Sequence, residues 1–169
     1  MKLTLMMALT ADGRIGRSAD HFPDWTGAAD KRLFVAATRK AGVVIMGSRT
    51  YDTLGKPLAG RHNVVLTRNP ARRSAADNLE YTHEPPEAIV ARLQARGIAE
   101  AILAGGAQIN TLFARAGLID DIRLTVAPLV FGTGPGLFDG PIELKLDLLE
   151  TRTLDGGAVS LHYRVKTGG

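Results

Sequence analysis

The chain has 169 residues, of which 45% are hydrophobic, so it can bury the core of one domain spanning residues 1–169. It contains no cysteine, which excludes disulfide bonds and thiol chemistry, and its four histidines are too dispersed to suggest a metal site. A formal net charge of +4 favours anionic partners without distinguishing a phosphorylated cofactor from nucleic acid.

The distribution of apolar and basic residues narrows the class of protein further. The apolar run from Leu3 to Thr10 is too short to span a membrane and lacks a small-residue cleavage site, so we expect a cytoplasmic protein with no membrane partner. The basic residues are dispersed, and no strip of aromatic residues accompanies them. A non-catalytic nucleic-acid- or nucleotide-binding module is therefore a remote alternative.

Strand and helix patterns alternate through the first two thirds of the chain. A buried strand is predicted from Leu3 to Leu9, and a helix with one apolar side from about Gly27 to Lys40. Two β-branched runs that follow are typical of central strands. The elements predicted after the first helix are strands at 43–46 and 63–67 around a short helix at 47–54, a strand at 79–82, a helix at 86–96, a strand at 101–104 and a helix at 108–116.

The last third of the chain has a different pattern. Strands are predicted at 122–130, 144–150 and 158–165, with a glycine-rich loop at 132–136. The sequence Asp155-Gly156-Gly157 between the last two strands is a hairpin signal. Parallel βαβ units that end in an antiparallel edge predict a three-layer α/β fold, with a mixed, mainly parallel central sheet flanked by helices.

Two predicted strand-to-helix turns are rich in glycine. One is Gly47-Ser48-Arg49-Thr50, and the other contains Gly105 and Gly106. Free backbone N–H groups and the helix dipole attract phosphate at such turns, and two of them suggest a dinucleotide. Glycine is also common in these turns for structural reasons alone, so that interpretation stays open. Neither turn has the spacing of an ordinary Rossmann fingerprint or of a phosphate-binding loop.

The segment from Met46 to Thr67 resembles the dihydrofolate reductase family. It contains a Met-Gly-x-x-Thr turn, a Gly-x-Pro-Leu-x-Gly-Arg loop that ends at Arg61, and a strand that begins with Asn63. The stretch from Ala8 to Gly16 resembles the opening of the same family, and Trp25, Asp30 and Phe34 resemble its substrate helix. The resemblance covers most of the chain and implies an NADPH-dependent oxidoreductase of folate metabolism.

The region from Gly117 to Phe138 is more similar to the reductase domain of riboflavin biosynthesis, which has the same fold. This second resemblance also implies NADPH and hydride transfer. It leaves two small-molecule substrates open, a pterin such as dihydrofolate and, as the alternative, 5-amino-6-(5-phosphoribosylamino)uracil. The riboflavin-pathway relatives commonly pair through their sheets, so the resemblance also leaves a homodimer open.

The resemblance implies where NADPH would bind. Ala8, Ile15 and Gly16 match positions that border the nicotinamide, although Ala8 and Ile15 also suit a hydrophobic core. The planar guanidinium of Arg68 suits the 2′-phosphate of the adenosine ribose. The complete set of residues matched to the cofactor is Ala8, Ile15, Gly16, Gly47, Ser48, Arg49, Thr50, Leu66, Thr67, Arg68, Gly105 and Gly106.

Asp30 is the residue on which the substrate prediction depends. A carboxylate near the start of a helix can simply complement the helix dipole, but the matching acid of dihydrofolate reductases holds the pterin by a paired hydrogen bond. Thr125 matches the threonine that supports this acid, so the resemblance implies catalytic and substrate-binding roles for both. Phe34 and Arg61 complete the predicted substrate site. Arg61 matches the arginine that binds the glutamate-tail carboxylate of folates, and its alternative role is that of a turn residue.

The implied chemistry is hydride transfer from the reduced nicotinamide, with a proton delivered through water. The protein would mainly position two rings and exclude solvent, so neither a covalent nucleophile nor a metal ion is expected. The loop over the site departs from the Met-Pro-Trp pattern of the family, because it reads Phe22-Pro23-Asp24-Trp25 after His21. Because of this departure, the sequence does not decide whether the loop closes over the site.

Overall fold

The structure is a computed structural model that describes residues 1–166. Its central feature is one eight-stranded sheet with helices on both faces. The elements in chain order are β1 (Lys2–Thr10), α1 (Gly27–Ala41), β2 (Val43–Gly47), α2 (Ser48–Leu54), β3 (His62–Leu66), β4 (Leu79–Thr82), α3 (Pro86–Ala95), β5 (Glu100–Leu103), α4 (Ala107–Arg115), β6 (Asp121–Ala127), β7 (Leu146–Thr153) and β8 (Val159–Val165).

The strand order is β4-β3-β2-β5-β1-β6-β8-β7. The first six strands in this order are mutually parallel, whereas β8 runs antiparallel to β6 and β7 runs antiparallel to β8. The predicted three-layer α/β fold with an antiparallel C-terminal edge is therefore confirmed. Because the carboxyl ends of parallel strands meet at the same edge, the loops that follow β1, β2, β3 and β5 converge there.

A hydrophobic core lies on each face of the sheet. On one face, α3 and α4 cover β1, β2 and β5, and Phe113 of α4 is fully buried. On the other face, Phe34 of α1 and Tyr51 of α2 pack against Val44 and Met46 of β2. All five residues of β2 are buried, as expected for a central parallel strand covered on both faces.

The strand boundaries in the last third differ from the sequence prediction. Strand β6 ends at Ala127 instead of residue 130, because Pro128 has no N–H to donate to the sheet and the chain turns away. Strand β7 begins two residues later than predicted and continues to Thr153. Every residue of β7 is exposed, so its sequence lacks the alternation of a half-buried strand.

The buried side chain of Asn63 fixes the loop between α2 and β3. Its Oδ1 accepts a hydrogen bond from Leu58 N at 2.9 Å. Its Nδ2 donates to the carbonyl oxygens of Leu58 at 3.1 Å, Arg61 at 2.8 Å and Asn78 at 3.1 Å. One amide side chain thus holds the backbone on both sides of Gly60, and it sets the position from which the Arg61 side chain leaves the loop.

Asp12 joins two loops at the carboxyl edge. Its carboxylate accepts hydrogen bonds from the Thr10 hydroxyl at 2.5 Å, Gly132 N at 2.8 Å and Phe131 N at 3.2 Å. Phe131 in turn lies edge-on to Trp25, with ring centroids 5.1 Å apart. The hydrogen bond from Thr10 lowers the pKa of Asp12 from its ordinary value of 3.8 to about 2.

We expect Asn63→Ala to lower the free energy of unfolding by about 2–4 kcal/mol, because it leaves Leu58 N–H and several carbonyl groups short of partners. Urea denaturation measures this loss. Asn69→Ala is the matched control, since Asn69 is exposed and its Oδ1 accepts only from Ala71 N. Equal losses in the two variants would contradict the role assigned to Asn63.

Asp12 makes the stability depend on acidic pH. Because its pKa is lower in the folded chain, it stabilises the fold above about pH 4, and this contribution disappears as the pH falls toward about 2. We expect Thr10→Val to raise the pKa of Asp12 toward 3.8, as measured by carboxyl NMR titration. Thr133→Val, an exposed change in the partner loop, should leave the titration unaltered. An unchanged pKa in the Thr10 variant would contradict the assigned cause.

Candidate functional site

The two glycine-rich turns lie side by side at the carboxyl edge. Strands β2 and β5 are neighbours, and Gly47 N donates a hydrogen bond to Gly105 O at 2.8 Å. A Cβ atom on Gly106 would lie 3.4 Å from Thr50 Oγ, so the second turn also faces the start of α2. The peptide bond between Gly105 and Gly106 is cis. The pairing of β2 with β5 thus brings together the turns at Gly47 and Gly105, which are almost 60 residues apart in sequence.

Both turns require glycine for reasons of packing. A Cβ on Gly47 would approach Ile109 Cγ1 to 2.7 Å, and a Cβ on Gly105 would approach Met7 Sδ to 2.8 Å. Gly105 also has a φ of +88°, which side-chain-bearing residues rarely adopt. The sequence left open whether these glycines are present for structural reasons alone, and such reasons do apply to Gly47 and Gly105. They are compatible with a ligand bound above the two turns.

Polar and basic groups surround the paired turns. Neither α2 nor α4 has a side-chain hydrogen bond at its N-cap, which leaves the first backbone N–H groups available. Leu66 pairs with Gly47, so Thr67 and Arg68 continue past β3 next to the start of α2. Arg49 and Arg68 are exposed, and neither forms a salt bridge within residues 1–166. This part of the edge can therefore accept an anion.

The residues matched to the nicotinamide lie at the end of β1 and in the loop after it. Ala8 pairs with Thr125 of β6 and is partly exposed. Gly16 is buried against the loop that follows β6, because a Cβ on Gly134 would overlap the Gly16 carbonyl oxygen. Ile15 N also donates to Pro135 O at 2.9 Å. Gly134 and Pro135 are therefore positioning residues that the sequence prediction did not include.

Three of the four residues predicted to bind substrate, Asp30, Phe34 and Thr125, lie on α1 and β6. Asp30 stands in the first turn of α1 and is partly buried, with no ion pair or side-chain hydrogen bond to another described residue. Phe34, one turn later, packs against the core. Thr125 is buried, at 3% exposure. No hydrogen bond joins Asp30 to Thr125 in the described part of the chain, so the predicted direct support is not formed in this structure.

Arg61 is a buried cation at the other end of α1. It is 7% exposed, its Nε donates to Ala59 O at 3.0 Å, and its Nη1 donates to Thr38 Oγ at 2.9 Å. Burial, and secondarily the positive charge of Arg39, lower the pKa of Arg61. No carboxylate among residues 1–166 lies within ion-pair distance of this guanidinium. Within the described part of the chain, the guanidinium is therefore held by neutral oxygen acceptors alone.

A second buried charge lies near the opposite end of β6. Asp121 is 1% exposed and is bound by Lys2 Nζ at 2.6 Å and His162 Nε2 at 2.6 Å. Burial acts to raise the pKa of Asp121, but the hydrogen bonds from Lys2 and His162 outweigh it and lower the pKa. His162 also lines a cleft that reaches Thr125. The sequence shows the pair of acids at Asp120 and Asp121, but nothing in it connects them with His162.

Two further observations limit the classes of site. No helix within residues 1–166 is long and apolar enough to cross a membrane. Over the same residues, no group of three or more His, Asp and Glu side chains is arranged to hold a metal ion. The candidate site therefore consists of an anion-accepting edge beside β2 and β3, an acid on α1, and a buried arginine.

Known proteins with similar sequences or structures show the same architecture. A model of the dihydrofolate reductase family matches residues 2–128. Dihydrofolate reductase type 3 of Salmonella typhimurium is 37% identical over 109 residues, which span 64% of this chain and 62% of that protein.

Two solved structures superpose on almost the whole chain. A protein assigned to riboflavin biosynthesis from Shewanella sp. PV-4 has a TM-score of 0.83 at 22% identity, covering 99% of this chain and 100% of that one. Dihydrofolate reductase from Enterococcus faecalis, complexed with NADP(H), has a TM-score of 0.73 at 19% identity, covering 98% and 97%. At these identities the structures support the fold alone, whereas the family model matches most of the sequence. The chain belongs to the dihydrofolate reductase family.

Proposed function

We propose that the protein is an NADPH-dependent reductase that transfers hydride to a pterin-type substrate such as dihydrofolate. The observation that carries this proposal is Arg61, a buried guanidinium without an acidic partner among residues 1–166. A buried charge is costly unless it is paired, so this position favours a ligand that brings a carboxylate. Dihydrofolate has such a group at one end and a ring with hydrogen-bond donors at the other.

The spacing of charges along α1 fits a substrate of that length. Asp30 and Thr38 are separated by eight residues, which corresponds to roughly 12 Å along a helix. Thr38 binds Arg61, so the guanidinium lies at the end of α1 opposite to Asp30. A ring amine at Asp30 and a tail carboxylate at Arg61 would satisfy both charges in a single orientation.

The residues at the carboxyl edge suit a phosphorylated dinucleotide. The Enterococcus relative of similar fold is complexed with NADP(H), and Arg49, Arg68 and the hydroxyl groups of Ser48 and Thr50 provide donors for phosphate oxygens. Gly105 and Gly106 allow the cofactor to approach the backbone, and Ala8, Ile15 and Gly16 would border its nicotinamide. When bound, NADPH supplies the hydride.

The chain's own contribution to catalysis is positioning and exclusion of water. Asp30 would accept hydrogen bonds from the exocyclic amine and ring N–H of the substrate, which fixes the ring with its face toward Ala8. Phe34 and Leu33 provide the apolar surface next to that ring. The loop after β6 donates hydrogen bonds to Asp12 from Phe131 N and Gly132 N, and it lies beside Gly16. There it would limit the access of solvent to a nicotinamide bound next to Gly16.

A second candidate activity is reduction of 5-amino-6-(5-phosphoribosylamino)uracil. The observation that favours it is the polar cleft next to Thr125, which includes Arg123, Ser160 and His162 and lies toward the β7 edge of the sheet, whereas Arg61 lies just before β3, near the other edge. An aminopyrimidine could use the same paired hydrogen bond to Asp30. The two candidates differ in the direction in which the substrate extends from that acid.

The proposal is tested by following NADPH consumption by the purified protein with dihydrofolate and, separately, with the phosphoribosylaminouracil. We expect turnover of dihydrofolate. Turnover of the second compound alone would replace the first candidate by the second. Failure of NADPH to bind, measured by calorimetry, would contradict the reductase proposal as a whole.

Asp30→Asn should lower kcat/KM for dihydrofolate by about 10- to 100-fold, because a charge-assisted hydrogen bond to the substrate ring becomes a neutral one. The dissociation constant of NADPH should change little. Glu87→Gln is the matched control, since Glu87 also stands in the first turn of a helix, α3, far from the site. Similar effects of both changes on kcat/KM would show that Asp30 acts only through the helix dipole.

Gly47→Ala should weaken NADPH binding by about tenfold or more, because its Cβ would press on Ile109 and displace the start of α2. Its φ of −81° is accessible to alanine, so the effect should be steric. Combining it with Ile109→Ala should restore much of the affinity, as measured by calorimetry. Failure of the double variant to recover, while the Ile109→Ala protein binds normally, would contradict the steric explanation.

A further inference from the structure

The side chain of His21 closes a short turn in the loop between β1 and α1. Its Nδ1 accepts a hydrogen bond from Arg17 N at 3.0 Å. His21 N donates to Ser18 O at 3.3 Å, so backbone and side chain together close the turn at residues 17–21. Because Arg17 directly follows Gly16, this turn holds the backbone next to a residue that we place beside the nicotinamide.

The turn at residues 17–21 packs on Phe131, which belongs to the loop after β6. Arg17 Cζ lies 4.1 Å from the centroid of the Phe131 ring, and the ring centroids of His21 and Phe131 are 5.9 Å apart. Phe131 is itself held in place, because its N–H donates to Asp12 at 3.2 Å. A Cβ on Gly16 would lie only 3.2 Å from His21 Cβ. A displacement of the turn would therefore also move Gly16.

The hydrogen bond from Arg17 N determines which protonation state the His21 ring can have. A backbone N–H only donates, so Nδ1 must keep its lone pair, and the proton of the neutral ring lies on Nε2. Arg17 Nη1 lies 3.3 Å from that nitrogen. A second proton would occupy Nδ1, remove the acceptor for Arg17 N, and place a positive charge beside the guanidinium. The closed turn is therefore compatible with the neutral ring only.

The charged groups around this ring lie on its own loop and on α2, whereas the loop after β6 contributes an aromatic side chain. Asp24 Oδ1 lies 3.9 Å from Nε2, but the Asp24 side chain is 70% exposed, so solvent screens its attraction for a protonated ring. The hydrogen bond from Ser18 is the main cause that lowers the pKa of Asp20, and the charges of Arg49 and of the ring act in the same direction. Neither carboxylate is hydrogen-bonded to Nδ1 within residues 1–166, so neither replaces the contact that protonation removes.

We propose that His21 is a pH-sensitive positioning residue for the loop beside the nicotinamide. Its neutral ring holds the turn at residues 17–21 and keeps Gly16 in place, whereas the protonated ring releases the turn. Histidine side chains exchange a proton between about pH 5 and 8, so the release occurs as the pH falls through that range. The effect on cofactor binding rests on the proposed function, whereas the effect on the turn does not.

The turn is tested first in the wild-type protein without cofactor, by NMR of the isotope-labelled chain between about pH 5 and 8. We expect the ring nitrogen shifts of His21 at the higher pH to show an unprotonated Nδ1. The Arg17 amide signal should shift with the same midpoint as the ring. A proton on Nδ1 of the neutral ring, or an Arg17 amide that does not follow the titration, would overturn the inference.

Calorimetry then measures how the pH alters the dissociation constant of NADPH. Between about pH 8 and about pH 6, we expect this constant to rise about threefold more in the wild-type protein than in His21→Asn. The reason is that the side-chain oxygen of asparagine can accept from Arg17 N but does not titrate. Both proteins bind the same cofactor, so the comparison cancels the titration of its phosphate.

His62→Asn is the matched control, since it removes a histidine at the first residue of β3, and it should keep the wild-type pH dependence. Equal pH dependence of the wild-type and His21→Asn proteins would overturn the role at the cofactor. If the Arg17 amide follows the His21 titration but NADPH does not bind at either pH, the proposed function alone is contradicted.

Discussion

The hydrogen bond from Gly47 N to Gly105 O joins the two turns on which the site is built. It is possible because β2 and β5 are parallel neighbours whose carboxyl ends stop at the same edge of the sheet. The contact leaves no room for a Cβ at Gly47, since Ile109 fills that space. Backbone N–H groups at the starts of two helices, together with the basic residues after β2 and β3, thereby come to one face of the molecule.

The two buried charged residues, Asp121 and Arg61, have different kinds of partner in the fold. Asp121 is surrounded by Lys2, His162 and Arg164, so its carboxylate is stable inside the protein. Arg61 has hydrogen bonds to Thr38 and to a carbonyl oxygen but no counter-ion within the described residues 1–166, and the charge of Arg39 is close by. The first arrangement stabilises the sheet without a ligand. The second leaves the charge of Arg61 without a carboxylate partner among residues 1–166, and the proposed carboxylate-bearing substrate would supply one.

Local sequence patterns predicted those parts of the fold that are determined by residues close together in the sequence. The turns at Gly47 and Gly105 could be predicted because a buried strand followed by glycine and a helix is a local sequence feature. The acid on α1 could be identified as a candidate because helix starts are also local. The start of β7 was predicted two residues early, since an edge strand that is exposed throughout carries no periodic signal. Phosphate and substrate roles carried over from the family stay predictions.

Long-range pairings could not be predicted from the sequence. His162 and Asp121 are 41 residues apart, and only the antiparallel return of β8 brings them together. The cleft requires side chains from four strands, β1, β6, β7 and β8, and from α1, with a register shift in β7 between Leu148 and Glu150. The sequence predicted that Arg61 either binds the carboxylate of a substrate or is a turn residue. Its burial follows from the Asn63 hydrogen bonds, which the sequence does not reveal.

The order of the strands also separates the residues matched to the cofactor from the polar residues of the cleft next to Thr125. Every residue matched to the cofactor lies at or before Gly106, whereas Arg123, Ser160 and His162 all belong to the part of the chain after α4. Within residues 1–166, the hairpin of β7 and β8 joins the sheet through the pairing of β8 with β6. We expect changes in this hairpin to leave in place β1, β2, β3 and β5, the strands at whose carboxyl ends the residues matched to the cofactor lie.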